Sequence, residues 1–345
     1  MERSLSLPIG ILDEHPHWSD RLIAELRRRD LPFEKIDVSD HAFIPAARER
    51  RYSVLVNRVS PSAHTRGHAS SLFYALQALA YFEEIGTPII NPSASYRYEA
   101  SKAAQALLME RLGLPYPRCA VLNQPGQVLD LLPTFRFPVI VKPNVGGSGA
   151  GIVRFDRPED LEAAVKRSAL SLGPDGTALL QEFLETEDGS IVRVEVLGGE
   201  FLYAIKITTD PMAGFNLCPA DLCQLEAEAS APPRVALAAC PADVNPAVAR
   251  RVEKFDPPPS VIADVLRVTR AAQIDVGGVE YLRYRGDGRI YYYDMNALSN
   301  FVADAPTLLG FDPTRRFADF IVAVATGSVE PVSRFAGGLQ GPPRR

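Results

Sequence analysis

Cysteine is scarce in this chain of 345 residues, and lysine is scarcer than its charge count suggests. Cys119, Cys218, Cys223 and Cys240 form no Cys-x-x-Cys pair, which excludes a disulfide scaffold and a zinc ribbon. No stretch reaches the roughly eighteen uninterrupted apolar residues of a membrane helix. Residues 1–5 lack the apolar core of a secretory signal, so a cytoplasmic setting without membrane contact is expected. Basic residues are outnumbered, 37 Lys and Arg against 42 Asp and Glu, for a net charge of -5. That argues against a nucleic-acid partner, since coating phosphates needs a basic face. A local basic pocket stays open. Only six of the basic residues are lysines, against thirty-one arginines, so a lysine at a purposeful position carries weight. What is present in quantity is ordinary: 46% hydrophobic and 23% charged residues, enough core for two or three subdomains.

Apolar runs at 7–12, 33–38 and 52–56 alternate with helical spacing at 18–29 and 70–85, which predicts a small parallel α/β sheet. A linker at 89–93 leads to a predicted helix over 99–112, stopped by Gly113 and Pro115. Further strands are expected near 121 and at 139–142, 152–155, 178–184, 191–197 and 201–207, and helices at 161–169, 261–272 and 315–325. Residues 225–259 are rich in alanine and proline and end in three prolines. They read as an irregular insertion. The organisation expected is an α/β (α+β) chain with an N-terminal domain over 1–90, a central subdomain over 91–180, a C-terminal subdomain over 181–330 and a tail over 331–345.

Two stretches carry chemistry. In Lys142-Pro143-Asn144-Val145-Gly146-Gly147-Ser148-Gly149-Ala150-Gly151, four glycines within six positions free backbone amides to wrap an anion. Neither a Gly-Lys-Ser/Thr nor a Gly-x-Gly-x-x-Gly register fits. The loop lies between two predicted strands, so it reads as a flap over a nucleotide or as an ordinary glycine-rich hairpin. The second stretch is a strand–turn–strand signature over 278–296 around Gly286-Asp287-Gly288. Asp294 and Asn296, two apart, share a face. A three-residue loop sets Glu280 opposite Asp294, whereas a two-residue turn sends it to the other face. Two carboxylates and an amide oxygen suit magnesium rather than zinc. Solvated charges on an exposed strand are the competing reading.

The order of these features, with Gln181-Glu182-Phe183-Leu184 between them, resembles the ATP-grasp superfamily. The likeness is to its glutathione-synthetase and ribosomal-protein glutamate-ligase (RimK-like) branch, over about 88–325, behind a Rossmann-like pre-ATP-grasp domain. The resemblance implies ATP and Mg2+, or Mn2+, as cofactors. It implies that Lys102, Lys142, Gly146, Gly147, Ser148, Gly149, Gln181, Glu182, Phe183, Leu184 and Asn216 contact the nucleotide. Glu280, Asp294 and Asn296 match the metal ligands, and Arg193, Lys206 and Asn296 the catalytic positions. The sequence departs from the family at Ile191, where aspartate is common, and at Ala297-Leu298-Ser299-Asn300, where Ser-Ser-Pro-Gly is common.

The activity implied is carboxylate–amine ligation through an acyl phosphate, on an amino acid, small peptide or related metabolite, with a homo-oligomer left open. A phosphotransferase of the same fold and a non-catalytic nucleotide binder are the alternatives. Positioning and charge neutralisation would carry such chemistry without a covalent nucleophile. His64 and His68 have helical ligand spacing but no evident third ligand. Arg58 and Arg66 are further candidates for a substrate carboxylate.

Overall fold

Three sheets organise the chain in the computed structural model, which describes residues 5–147, 149–208 and 251–332. The first is parallel, in the order β2-β1-β3-β4, from Ile9–Asp13 (β1), Phe33–Asp37 (β2), Val54–Asn57 (β3) and Ile89–Ile90 (β4). β1 and β3 are buried along their whole length, as the apolar runs of a parallel strand covered on both faces require. Helix α1 (Asp20–Arg28) buries Leu22 and Leu26 and sets Asp20 at its start and Arg27 and Arg28 at its end, matching the helix dipole. Helix α2 (Ala69–Glu84) sends Ala75, Ala78 and Leu79 into a core with Leu12 and Leu55.

The helix expected over 99–112 is α4 (Lys102–Leu112), starting three residues later, and a further short helix, α3 (Ser93–Glu99), precedes it. They part at Ser101, whose backbone is extended and whose hydroxyl accepts from the Ala104 N–H, an N-cap that starts α4 at Lys102.

The second sheet is small and antiparallel, in the order β5-β8-β6-β7, from Cys119–Leu122 (β5), Val139–Pro143 (β6), Val153–Phe155 (β7) and Ala178–Glu182 (β8). Val139, Val141, Ala178 and Leu180 pack against Val128 of α5 (Gln127–Leu131) and Leu161 of α6 (Pro158–Lys166). Strand alternation therefore turns Ile140, Lys142, Leu179 and Gln181 to the other face.

The third sheet is antiparallel, in the order β11-β10-β9-β12-β13, from Ser190–Leu197 (β9), Glu200–Thr208 (β10), Arg251–Lys254 (β11), Val276–Arg283 (β12) and Ile290–Asn296 (β13). Ile191, Ile205 and Val276 on one face share a single core with Ile9, Ile11 and Val54 of the first sheet, with α8 (Ala305–Leu309), and with Phe317 and Ile321 of α9 (Pro313–Ala325). Val192, Val194 and Val279 on the other face pack against Leu108 and Met109 of α4 and against Val261 and Val265 of α7 (Pro259–Ala271). Thus α4, expected with the central subdomain over 91–180, packs on the C-terminal sheet instead. Its apolar side chains fit the face left bare by the first sheet.

The insertion expected over 225–259 needs correction at its end. Residues 209–250 lie outside the described residues, but 251–254 is a regular edge strand with Val252 opposite Ile207, and Pro259 opens α7. Among the described residues, no helix is long and apolar enough to cross a membrane.

One asparagine joins the first sheet to the third. Asn91 has a left-handed φ of 58°, a conformation its residue type tolerates. Its side-chain oxygen accepts from the N–H groups of Asp275 and Val276, and its amide donates to the carbonyls of Val276 and Ala297. Asp275 returns a bond from the Asn91 N–H and takes another from Val332.

Candidate active site

Glu280 lies directly opposite Asp294 and Gly278 opposite Asn296, so the three oxygen donors do share one face at the exposed edge of the third sheet. The route to that register differs from either turn considered from sequence. Near the tip, Arg283 pairs with Ile290 and Tyr281 with Tyr292, and Tyr293 is then an extra residue that shifts the pairing to Glu280–Asp294. This bulge re-aims a side chain next to the candidate site. The Tyr293 hydroxyl donates to Glu280 Oε2 at 2.8 Å.

Arg193 on β9 is the neighbour of Glu280 on the other side. Its Nη1 donates to Glu280 Oε1 at 3.1 Å and its Nε to Glu195 Oε1 at 2.6 Å. Glu195 is anchored in turn by the Ser299 hydroxyl at 2.9 Å. The guanidinium lies across Gly278, where a side chain would collide with it. Glu195 and Ser299 carry no motif, and alternation within β9 was the only signal that could have turned Glu195 to this face.

Lys102 reaches in from the start of α4 and donates to Asp294 Oδ1. Its helix is tied to the flap by Asn144, which follows Lys142. Asn144 Oδ1 accepts from Ser101 Oγ at 3.0 Å and from the Ala103 N–H at 2.8 Å, and its carbonyl accepts from the Lys102 N–H at 3.0 Å. Lys142 completes the cluster from the second sheet. Burial first, and then the neighbouring Lys102 charge, pull the Lys142 ammonium down to about 8. Burial pushes Asp294 up, but Lys102 more than offsets it and holds the carboxyl below its ordinary value. Glu280 is pushed up by burial and by the Asp294 charge, with Arg193 opposing. Burial raises Glu99, beneath the cluster, to about 7 against the opposing pull of Lys102.

The donor set fits a hard cation. Asn296 donates its amide N–H to Asp294 Oδ2 at 3.1 Å, which leaves its carbonyl oxygen as an acceptor beside two carboxylates. Among the described residues no three His, Cys, Asp or Glu side chains group as a metal site, so the Asn296 oxygen has to complete any set here.

Other expected residues fall elsewhere. Lys206 pairs with Val192 in register, which puts it on the face opposite Arg193, and its ammonium is bound to Asp188 at 2.6 Å. Gln181 shares the face of Lys142, while the Glu182 carboxylate is turned away and accepts the Arg136 N–H. The Phe183 ring carries the Arg154 guanidinium 4.4 Å from its centre, and Leu184 is buried in the shared core. Gly146, Gly147 and Gly149 lie in the flap between β6 and β7, Gly149 with a left-handed φ of 75°. Ser148 and Asn216 lie outside the described residues. Arg58 is buried and donates to the Ser299 carbonyl and to Asn300, and Arg66 grips Glu14 with two nitrogens. His64 and His68 have separate partners, the Pro61 carbonyl and Glu14.

Residues 99–211 match the family model of the RimK-like ATP-grasp domain. Over that span the chain is similar to a RimK-like ATP-grasp domain. A probable alpha-L-glutamate ligase of Teredinibacter turnerae is 30% identical over 139 residues, 40% of this chain and 45% of that protein. One of Psychromonas ingrahamii is 28% identical over 156 residues, 45% of this chain and 48% of its own. The chain thus spans about half the length of the curated relatives it matches. Beyond the matched span the overall fold is like that of solved ATP-grasp structures. The ATP-grasp ligase PsnB in complex with a minimal precursor superposes with a TM-score of 0.63 at 19% identity, over 92% of this chain and 99% of that one. The D-cycloserine synthetase DcsG gives 0.58 at 18%, over 92% and 99%. The D-alanine–D-alanine ligase of Bacillus anthracis gives 0.62 at 14%, over 94% and 98%.

Proposed function

We propose that this chain is an ATP-dependent ligase that joins a carboxylate to an amine through an acyl phosphate. The observation that carries the reading is convergence. Lys102, Lys142 and Arg193 come from three separate parts of the chain and meet Glu280, Asp294 and Asn296 at one sheet edge. Buried cations beside hard oxygen donors suit a polyphosphate and its metal, and no group in the cluster is placed as a covalent nucleophile.

Lys102 and Lys142 bind phosphate oxygens and offset their charge as the terminal phosphate passes to the carboxylate. Arg193, held at Nε by Glu195, offers the end of its guanidinium to that carboxylate and then to the oxyanion formed when the amine adds. Glu280, Asp294 and Asn296 would hold magnesium, whose chemistry there would be neutralisation of polyphosphate charge. The flap from Lys142 onward excludes water from the acyl phosphate. The printed names of the relatives support an amino acid or a peptide as substrate, and L-glutamate is the natural first carboxylate and amine to test.

The experiment is a screen of ATP conversion to ADP across amino acids, small carboxylates and peptides, with mass analysis of products. An amide product and inorganic phosphate in equal amounts are expected, both lost in Asp294→Ala. A stable phosphorylated product would instead make the chain a kinase, and turnover unchanged in Asp294→Ala would sink the metal assignment.

A further inference from the structure

We propose that Lys102 and Arg193 set which form of metal this site accepts, admitting a metal–nucleotide complex and rejecting the bare ion. The inference rests on the nucleotide reading above and concerns how the site is loaded.

Every carboxylate oxygen that a metal would need has a donor from the chain itself. Asp294 Oδ1 takes the Lys102 ammonium and Oδ2 the Asn296 amide. Glu280 Oε1 takes Arg193 Nη1 and Oε2 the Tyr293 hydroxyl. Metal binding therefore competes with two cations: Lys102 and Arg193 lie on the oxygens the ion would take, and charge repulsion requires them to draw back. Both ion pairs are well shielded, with side chains 15% and 20% exposed for Lys102 and Asp294, and 7% each for Arg193 and Glu280.

A bare divalent ion brings no new anion to the displaced cations. Asp294 is the only carboxylate within ion-pair distance of Lys102 among the described residues, and the nearby Lys142 charge repels any shift toward the flap. The cluster would gain two positive charges with no new anion, and an uncompensated buried charge is strongly disfavoured. A metal–polyphosphate complex changes the balance. Its phosphates give Lys102 and Lys142 a new anionic partner in the same step that its metal takes Asp294 and Glu280. Arg193, released from Glu280 but still held by Glu195 at 2.6 Å, keeps its place. Its Nη1 then becomes available to the reacting carboxylate, so loading the nucleotide prepares the site for the second substrate.

The test uses the full chain, with Mn2+ followed by its electron paramagnetic resonance signal, alone and with the non-hydrolysable nucleotide AMPPNP. Lys102→Met removes the competing charge at similar volume, and Lys102→Arg keeps it. Wild type and Lys102→Arg are expected to bind bare Mn2+ at least about 10-fold more weakly than Lys102→Met, the scale of losing one well-shielded competing ion pair. Mn2+–AMPPNP should move the other way, weakest in Lys102→Met. Asp294→Asn should abolish the bare-ion gain when combined with Lys102→Met, which shows that the gain arises at this site. Bare Mn2+ bound no more tightly by Lys102→Met than by wild type would overturn the proposal while leaving the nucleotide reading intact. Absence of Mn2+–AMPPNP binding by wild type would overturn both. Thermal unfolding of each variant identifies one that fails to fold, and the Lys102→Gln variant then takes its place.

Discussion

Two adjacent glycines on β12 offer a sharp test, because a methyl group at each meets a different kind of obstacle. At Gly278 the added carbon would lie 2.9 Å from Arg193 Nε, 3.1 Å from Nη2 and 3.1 Å from Glu195 Cδ. Ordinary contact begins near 3.4 Å, so the guanidinium has to retreat by about half an ångström. It can do so only by loosening the bonds to Glu195 and Glu280 that fix it. At Gly277 the same methyl lies 2.3 Å from the Asn296 carbonyl oxygen and 3.1 Å from Ala297 Cα, both backbone. There the strand bearing Asp294 and Asn296 itself has to move.

Overpacking costs about 1–3 kcal/mol where side chains can adjust, and replacing glycine returns about 0.4–1 kcal/mol by restricting the unfolded chain. Gly278→Ala should therefore lose about 1 kcal/mol of stability, and Gly277→Ala about 3 kcal/mol or more. For function the prediction differs in kind. A 1 Å misplacement of a positioned group costs about 100-fold in rate, so half that distance costs about 10-fold. Gly278→Ala should lose about 10-fold in turnover with Mg2+–ADP affinity near wild type, whereas Gly277→Ala should lose nucleotide binding as well. Urea unfolding, calorimetry with Mg2+–ADP and steady-state turnover read the three quantities. Gly278→Ala less stable than Gly277→Ala, or as active as wild type, would refute the assignment of Gly278 as the floor beneath Arg193.

Further outcomes follow from other parts of the molecule. Lys142 has a folded value of about 8, and phosphate binding needs its charged form, so Mg2+–ADP affinity should fall as pH rises through that value. The loss should be about 10-fold between pH 7 and pH 9, and Lys142→Arg should flatten it, as calorimetry at the two pH values can check. Asn91→Ala orphans four buried backbone groups and should cost about 3 kcal/mol or more in urea unfolding, so a loss below about 1 kcal/mol would contradict its clamping role. Ser299→Ala removes the hydroxyl on Glu195 Oε1. It should raise the carboxylate KM by several-fold with Mg2+–ADP affinity unchanged, and an equal change in both would show that Ser299 acts on the fold at large.

The sequence was informative where chemistry and pattern coincide. Lys102 came only from the family resemblance, whereas Lys142 beside the glycines and Asp294 with Asn296 two residues apart could be picked out, because each lies at a turn or a strand edge. Residues whose roles depend on pairing could not. Lys206 and Arg193 both look like basic residues on strands, yet register puts them on opposite faces of the sheet. Glu195 lies among the buried valines of β9, and only the cross-strand Gly278 shows why a carboxylate is there. The hairpin over 278–296 was legible as an element. Its register was not, because Tyr293 shifts the pairing four or more residues from the turn that normally sets it. The start of α4 at Lys102 rather than at 99 was missed because Glu99 and Ala100 are ordinary helix residues, and only the extended backbone of the Ser101 cap separates α3 from α4.

The shared core and the Asn91 clamp have a practical consequence for watching this protein at work. The first and third sheets are one solid body, held by Ile9, Ile11, Ile205 and Phe317 within and by four side-chain bonds at the linker. The small sheet has its own core and joins that body through Asn144 at the foot of α4. A pair of fluorescent labels, one on α6 and one on α9, therefore reads any movement of the small sheet against the larger body, whereas a pair placed on β2 and α9 lies within that body and serves as the unmoving control.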